Sequence, residues 1–414
     1  MALKKKPVTG MCDRLPQEME IRDYCIGLIK ETYRSFGFSP IETPCVEDIN
    51  NLLSKQGGEN EQLIFKIMKR GKKLKIDTAE TEMDLADSGL RYDLTLPLSR
   101  YYANNANDLP SPFKALQMGP VWRADRPQRG RFRQFMQCDI DILGEKGNIA
   151  EIELITATTA LLGKLHFKDF TIRINDRRLL KAMARYAGFE EETFDTFFII
   201  LDKLDKIGLS GVQAELKESG FPVEGIQKFV DLFESIDGTP ESVLALKGRL
   251  DIAEDVLDGL AEIMVCADGI KEADFKILFD PTLVRGMNYY TGTIFEIAMD
   301  AFGGSVGGGG RYDEMIGKFT GQSTPACGFS IGFERIVMLL MEQGFEVPGN
   351  SEKKAYLLEK GLPRAKKLAV LKKAAQERQS GKKVSVLNMK KNKRFQKEQL
   401  EELGFTDIEE CFNN

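Results

Sequence analysis

The chain between residues 114 and 143 constrains the fold more than any other stretch. Residues 114–123 and 133–143 have strand texture. They flank a loop with five arginines in eleven residues, Arg123-Ala-Asp-Arg-Pro-Gln-Arg-Gly-Arg-Phe-Arg133. Pro127 and Gly130 punctuate it, so the segment reads as a strand, a basic loop and a returning strand, the unit of an antiparallel sheet. On the returning strand, period-two geometry puts Arg133, Phe135, Gln137, Asp139 and Asp141 on one face and Met136, Cys138, Ile140 and Ile142 on the other. One face can pack. The other offers a cation, a flat ring, an amide and carboxylates, which suit a nucleotide and a small polar ligand. Alternation alone ordinarily means a solvated face. The arginine density argues otherwise, because guanidinium forks match phosphate oxygens.

Around this unit the pattern predicts an α+β body. A helix is expected over 18–36 with Gly37 as its stop, then an edge strand over 39–46 limited by Pro40 and Pro44. A hairpin over 64–76 would turn at Arg70-Gly71. Strands follow at 90–96 and 169–174, with a helix at 148–162 between them. Residues 176–273 change texture to charge-rich helical patterns with no reactive constellation, a helical insertion. Strands return at 275–279, 292–299 and 303–306, and a helix at 331–341. After a short linker at 346–351, strands at 355–358 and 384–387 alternate with helices at 363–379 and 393–403, a short α/β module. The expected division is 1–175, 176–273, 274–345 and 352–414.

Composition limits the chemistry. The 414 residues include seven cysteines, none in a Cys-x-x-Cys pair, and one histidine, His166, between Leu165 and Phe167. A disulfide framework or zinc site is not expected, and a reducing cytoplasm suits the cysteines. A lone histidine between apolar neighbours reads as a packing or surface residue, so histidine-based catalysis is set aside. No apolar run is long enough to span a membrane, and the basic start lacks the apolar stretch of a secretory signal. Residues 352–414 carry 16 basic and 9 acidic side chains, a net +7, on a chain whose total is −5. That asymmetry points equally to a polyanionic partner and to a solvated face.

Smaller motifs add to this. Arg91-Tyr-Asp-Leu-Thr95 would place Arg91, Asp93 and Thr95 on one strand face, a carboxylate and a hydroxyl suited to an ammonium group. Leu283-Val-Arg-Gly-Met-Asn-Tyr-Tyr-Thr-Gly292 joins an arginine, a glycine bend and two tyrosines. Four consecutive glycines at 307–310 precede Arg311-Tyr-Asp313. Such glycines permit close backbone approach, although a flexible hairpin is their commoner meaning. Gly328 and Gly332 would leave a smooth face where the helix bearing Arg335 begins.

Taken in order, these segments resemble a class II aminoacyl-tRNA synthetase, and specifically the histidyl-tRNA synthetase family. The first helix and the strand with Pro44 resemble motif 1, a dimer-interface element. Residues 123–144 resemble motif 2 and 326–340 motif 3. The segment from Leu283 to Gly292 resembles the signature peculiar to the histidine enzymes. The resemblance covers residues 8–345 and implies a class II antiparallel sheet flanked by helices, with the catalytic core in 1–175 and 274–345. The tail resembles part of the family's anticodon-binding domain and is expected to be shorter than it.

The resemblance implies residue roles. Arg123 would grip the ATP α-phosphate and the histidine carboxylate, Phe135 would stack on adenine, and Arg335 would hold the γ-phosphate. Asp125 and Arg131 would belong to the ATP site, and Arg285 would lie near the α-phosphate. Asp93, Thr95 and Gln137 would hold the histidine α-amino group. Asp141 and Tyr290 would bond the imidazole nitrogens, and Tyr289 and Tyr312 would line that pocket. Gln128 would meet the tRNA acceptor end. ATP with Mg²⁺ would enter as substrate, with no protein-bound cofactor and no dedicated metal cage, and the partners would be histidine, its tRNA and a second copy of the chain in a homodimer. The chain departs from the family pattern at Cys12, where arginine is usual, at Asn288 for aspartate, and at Asp125 and Asp141, each for glutamate. A non-catalytic paralogue, the synthetase-like regulatory subunit of ATP phosphoribosyltransferase, is the alternative. Such paralogues usually lose part of the arginine set that this chain retains.

Overall fold

The computed structural model describes residues 3–54, 60–285, 289–348 and 352–413. A helix, Pro16–Ser35, opens the chain and ends where Gly37 takes a positive φ of 82°. The strands follow in order. They are β1 (Ser39–Ile41), β2 (Val46–Asp48), β3 (Lys66–Met68), β4 (Ala86–Leu90), β5 (Phe113–Trp122), β6 (Gln134–Leu143) and β7 (Phe170–Asp176). After the helical stretch come β8 (Phe275–Phe279), β9 (Thr293–Met299), β10 (Gly304–Arg311) and β11 (Ala326–Ile331), then β12 (Lys353–Leu358), β13 (Lys383–Asn388) and β14 (Phe405–Cys411).

Eight strands form the main sheet in the order β1-β5-β6-β11-β10-β9-β7-β8. Its interior pairings are antiparallel and only the outermost pairs, β1/β5 and β7/β8, are parallel. The expected α+β class II sheet flanked by helices is present. The helix Ile149–Lys164 packs against β6 and β11, and the helix Phe333–Glu342 against β6 and β10. Both faces of β6 are covered from Gln137 onward: Cys138, Ile140 and Ile142 on the apolar face are at most 2% exposed, and Gln137, Asp139 and Asp141 on the polar face are buried too. Between β7 and β8 the described secondary structure is entirely helical, from Arg177–Tyr186 to Glu254–Gly269, around Phe189, Phe197, Phe221 and Phe229. No described helix is long and apolar enough to cross a membrane.

The chain divides into two compact units, Met1–Arg14 with Cys25–Gln343, and Leu15–Tyr24 with Gly344–Asn414. In the second, β12 lies between β13 and β14, all parallel.

Several expectations need correction. The chain does turn at Gly71, but residues 70–76 form short 3-10 turns instead of a return strand. The partner of β3 is β4, and Lys69 N donates to Leu85 O at 2.7 Å. The strand expected over 90–96 stops at Leu90, and a helix, Thr95–Asn105, begins. Pro97 falls in its first turn, where its missing N–H costs nothing, and Asp93 Oδ1 accepts from Leu96 N at 3.2 Å. Arg91, Asp93 and Thr95 therefore do not share a strand face. Arg91 is buried instead, donating to Thr43 O at 2.8 Å and Pro120 O at 2.9 Å. The strand expected over 39–46 divides into β1, at the sheet edge, and β2. The glycines at 307–310 form no loose hairpin: they lie within β10, between β9 and β11. Gly328 belongs to β11, and only Gly332 stands at the helix start.

The last strand, β14, has no counterpart in the sequence reading, and it changes the meaning of the basic tail. It supplies Asp407, Glu409 and Glu410, which pair with Lys354, Lys373 and Lys393 at 2.9–3.5 Å and with Lys397. Lys360, Arg364, Lys367, Lys372, Lys390 and Lys391 stay exposed, with no acidic partner among the described residues. His166 is exposed at a positive φ of 62°, just past the helix Ile149–Lys164. All seven cysteines are free.

Candidate active site

Strand register assembles the site. Asp139 lies opposite Gln117 of β5 and Ser330 of β11, Ser330 opposite Gly308, and Gly308 opposite Glu296. In the next row Asp141 lies between Ala115 and Gly328, and Gly328 faces Gly310. Residues opposite one another share a face. The polar face of β6 thus continues across β11, β10 and β9, with glycines where side chains from elsewhere must lie flat. A Cβ on Gly328 would stand 2.0 Å from Asp141 Oδ1, and one on Gly308 would stand 2.7 Å from Arg285 Nη1.

Tyrosines wall one end of this face. Tyr289 and Tyr312 stack with centroids 5.4 Å apart and planes 12° from parallel, and Tyr290 lies 4.4 Å from Tyr289. Tyr312 donates its hydroxyl to Asp141 Oδ1 at 2.5 Å, and Tyr289 donates to Thr95 Oγ1 at 3.2 Å. Burial pushes all three phenols upward, helped at Tyr289 by Tyr290 and at Tyr312 by Asp141, and opposed at Tyr290 by Arg285. They therefore stay neutral and can donate. Beside them Gln137 Nε2 donates to Asp139 Oδ2 at 2.6 Å. Arg123 follows at the end of β5, its guanidinium 4.3 Å from the Tyr92 ring centroid and 5.1 Å from that of Phe135, its Nε donating to Tyr92 O at 3.1 Å. Cation–π attraction and one hydrogen bond aim this group.

A second set of arginines converges nearby. Arg285 pairs with Glu296 and donates to Ser305 Oγ at 2.7 Å. Arg335, on the helix Phe333–Glu342, donates to Ser305 O and lies 5.1 Å from the Phe302 centroid. Its pKa is lowered, first by burial and then by the charges of Arg131 and Arg285. The two neighbouring guanidinium charges thus disfavour the charge on Arg335. An incoming anion relieves that repulsion. The helix is held by Glu334, which accepts from Arg14 Nη2 and Met136 N, each at 3.0 Å.

The loop between β5 and β6 is a tight turn in which Gln128 and Arg131 exchange backbone bonds of 3.2 and 2.9 Å. Arg126, Gln128, Arg129 and Arg131 are exposed, and Arg133 Nε donates to Asp125 O at 3.1 Å.

Thr95, Arg123, Phe135, Gln137, Asp141, Tyr289, Tyr290 and Tyr312 thus gather on and beside one sheet face, with Asp93 near enough to perturb Asp139. Arg131, Arg285 and Arg335 form the neighbouring cationic group. Gly286, Met287 and Asn288 lie outside the described residues. Arg311 points away from this face: it binds Glu151 through two 2.7 Å hydrogen bonds and ties β10 to the helix Ile149–Lys164. Asp139, Glu296 and Ser305 belong to the site, yet the motifs did not single them out as ligands. Asp139 was legible on the alternating face of β6, whereas the other two depend on strand pairing. Among the described residues no three His, Cys, Asp or Glu side chains gather to hold a metal ion.

The chain is similar to known proteins along most of its length. A family model described as histidyl-tRNA synthetase matches residues 10–336. The histidine–tRNA ligase of Leifsonia xyli is 46% identical over 350 residues, 82% of this chain and 81% of that protein. That of Christiangramia forsetii is 39% identical over 358 residues, covering 83% and 78%. The crystal structure of histidyl-tRNA synthetase from Nostoc sp. PCC 7120 superposes with a TM-score of 0.78 at 28% identity, over 98% of this chain and 90% of that one. A Bacillus halodurans structure titled as an ATP phosphoribosyltransferase regulatory subunit/histidyl-tRNA synthetase gives a TM-score of 0.80 over 99% of both chains. At 20% identity it shares the fold alone. On the match over most of its length and on the identity to these relatives, the chain belongs to the histidyl-tRNA synthetase family.

Proposed function

We propose that the protein is a histidine–tRNA ligase, which joins histidine to ATP as histidyl-adenylate, releases pyrophosphate, and transfers histidine to the 3′ end of its tRNA. The observation that carries this reading is a polar pocket on one sheet face beside a cluster of arginines, Arg285 and Arg335 converging on Ser305 with the charge of Arg131 close by. One part suits a small zwitterion with a hydrogen-bonding ring, the other a polyphosphate.

In this reading Asp141, aimed by Tyr312, and Tyr290 meet the two imidazole nitrogens, and Tyr289 and Tyr312 enclose the ring. Asp93, Thr95 and Gln137 take the α-ammonium group. Phe135 stacks on adenine, Asp125 and Arg131 complete the ATP site, Arg335 holds the γ-phosphate, and Mg²⁺ arrives with ATP as substrate. A histidine carboxylate oxygen attacks the α-phosphorus in line. The bond to the bridging oxygen breaks, and pyrophosphate leaves with the electron pair. The nucleophile is already ionised, so no protein base is required. Arg123 and Arg285 act by orientation and by positive charge where negative charge develops. Arg285 leaves Glu296 or shares its charge when the α-phosphate arrives. In the second step the terminal ribose hydroxyl attacks the carbonyl carbon, the bond from that carbon to the phosphate oxygen breaks, and AMP departs with its phosphate taking up the hydroxyl proton, with Gln128 at the acceptor end.

The finer setting belongs to the same proposal. The protein works in the cytoplasm, which seven free cysteines support. It acts as a homodimer, and light scattering at micromolar concentration tests that directly. The decisive experiment is histidine-dependent ATP–pyrophosphate exchange without tRNA, followed by charging of histidine tRNA. Binding of histidine with no exchange would refute the ligase.

A further inference from the structure

Two buried oxygens on the pocket face make no hydrogen bond among the described residues. Asp139 is 4% exposed and Gln137 is 8% exposed, and both Asp139 Oδ1 and Gln137 Oε1 lack a hydrogen-bond partner. Buried polar atoms are nearly always paired, so two orphans on adjacent positions of one strand face are a place for a donor. Both are acceptors, and their neighbours reinforce the point. The Gln137 amide nitrogen is spent on Asp139 Oδ2 at 2.6 Å, which leaves its carbonyl oxygen turned outward. An ionised carboxylate can only accept, so it dictates that amide orientation.

We propose that Asp139 is a further substrate-binding residue, whose Oδ1 accepts an N–H from the α-ammonium group of the amino acid and whose Oδ2 holds Gln137 with its carbonyl oxygen toward that same group. The proposal rests on the ligase reading and adds a second anionic partner to the subsite ascribed to Asp93, Thr95 and Gln137. A primary ammonium carries three donors, so it has a use for each acceptor. The carboxylate supplies the charge complement that an amide alone does not.

The groups facing Asp139 make this interaction sensitive to pH. Its carboxyl is pushed up to about 7, first by burial and then by the charge of Asp93. Ser330, Gln137 and Arg123 oppose the shift. Gln117 stands opposite on β5, and Tyr290 and Tyr33 feel its charge from the segment before β9 and from the helix Pro16–Ser35. Below neutrality Asp139 is protonated and can donate to Gln137. The amide is then free to turn its NH2 toward the ammonium, which removes both acceptors at once. Histidine binding therefore expels the proton and tightens as pH rises through 7.

The test compares wild type with Asp139→Asn, measuring dissociation constants for L-histidine and for imidazolelactate, which keeps the ring and carboxylate but has a hydroxyl in place of the ammonium group. At pH 8 the variant should bind histidine about 10- to 100-fold more weakly, the range for a hydrogen bond to a charged group. Imidazolelactate and ATP affinities should stay within about twofold, and they report that the variant is folded. In wild type the ratio of imidazolelactate to histidine dissociation constants should rise about tenfold per pH unit below 7 and level off above it, and in the variant it should be flat. Using the ratio cancels the titration of the substrate's own ring. Unchanged histidine affinity with an unchanged pH profile overturns the proposal. So does an equal loss for both ligands, which would make Asp139 structural. A wild type lacking histidine-dependent pyrophosphate exchange overturns the ligase reading itself and this inference with it.

Discussion

Gly328→Ala is the sharpest test of how the imidazole subsite is built. The new methyl would be placed 2.0 Å from Asp141 Oδ1 and 3.0 Å from its Cγ, with Tyr312 Cε1 at 3.2 Å. Carbon and oxygen need more than about 3 Å, so the carboxylate must move by roughly 1 Å or turn. The obstructing atom is the end of a side chain, so the strand can keep its register and Asp141 gives way. That movement breaks or lengthens the 2.5 Å bond from Tyr312, a bond to a charged acceptor worth about 1.5–3 kcal/mol. The same range, applied to the hydrogen bond with the imidazole, predicts a histidine KM raised about 10- to 100-fold. Misplacement of the reacting carboxylate would lower kcat as well, by up to ~100-fold for a 1 Å error. The KM for ATP should stay within about twofold, since the arginine group stands in other rows of the sheet. Pyrophosphate exchange with each substrate varied in turn separates these effects, and a thermal melt reports folding. An unchanged histidine KM would refute the reasoning. Equal losses for histidine and ATP would show that the sheet itself had been disturbed.

Arg285→Ala should slow adenylate formation about 10²–10³-fold, the scale of one missing transition-state interaction of roughly 3–4 kcal/mol, and single-turnover rates equal to wild type would remove Arg285 from the mechanism. Asp141→Asn keeps an acceptor for Tyr312 and should therefore fold. It should weaken histidine binding about tenfold or more with ATP binding intact, as read by calorimetry. The Asp139 carboxyl, raised to about 7 against ~3.9 in an unfolded chain, gives the native state the extra proton between those values. Stability should thus fall as pH rises from about 4 to 7, and melting curves should show Asp139→Asn overtaking wild type across that window and staying ahead above it. Removing the residues after Glu352 should leave exchange nearly unchanged and weaken tRNA binding. The salt slope should flatten by about 0.7–0.9 for each phosphate the tail had neutralised, with the six unpaired exposed cations named above as the groups that reach them. Identical affinity and slope with and without the tail would assign all RNA binding to the remaining residues.

Much of the architecture was legible because it is written in local periodicity. The helix Pro16–Ser35 with its glycine stop, the unit of β5, basic loop and β6, the helices between β7 and β8, and the polar face of β6 each follow from spacings a few residues long. The single histidine likewise argued against histidine chemistry on this chain. Tertiary structure decided what depends on partners distant in sequence. The run from Leu90 to Leu96 reads as a strand by alternation, yet Asp93 and Pro97 start a helix there. That helix start brings Thr95 to Tyr289, 194 residues away. The glycines of β10 became a smooth floor only because β9 and β11 enclose them, and Arg311 turned toward Glu151 because pleating puts it on the face opposite Gly310. The tail's positive charge was partly cancelled by β14, whose Asp407 and Glu409 stand far along the chain from the Lys354 they meet. Strand order and register are set by burial summed over the whole sheet. A chain reveals which residues can face a ligand through its own period of two, and only the assembled sheet determines what stands opposite them.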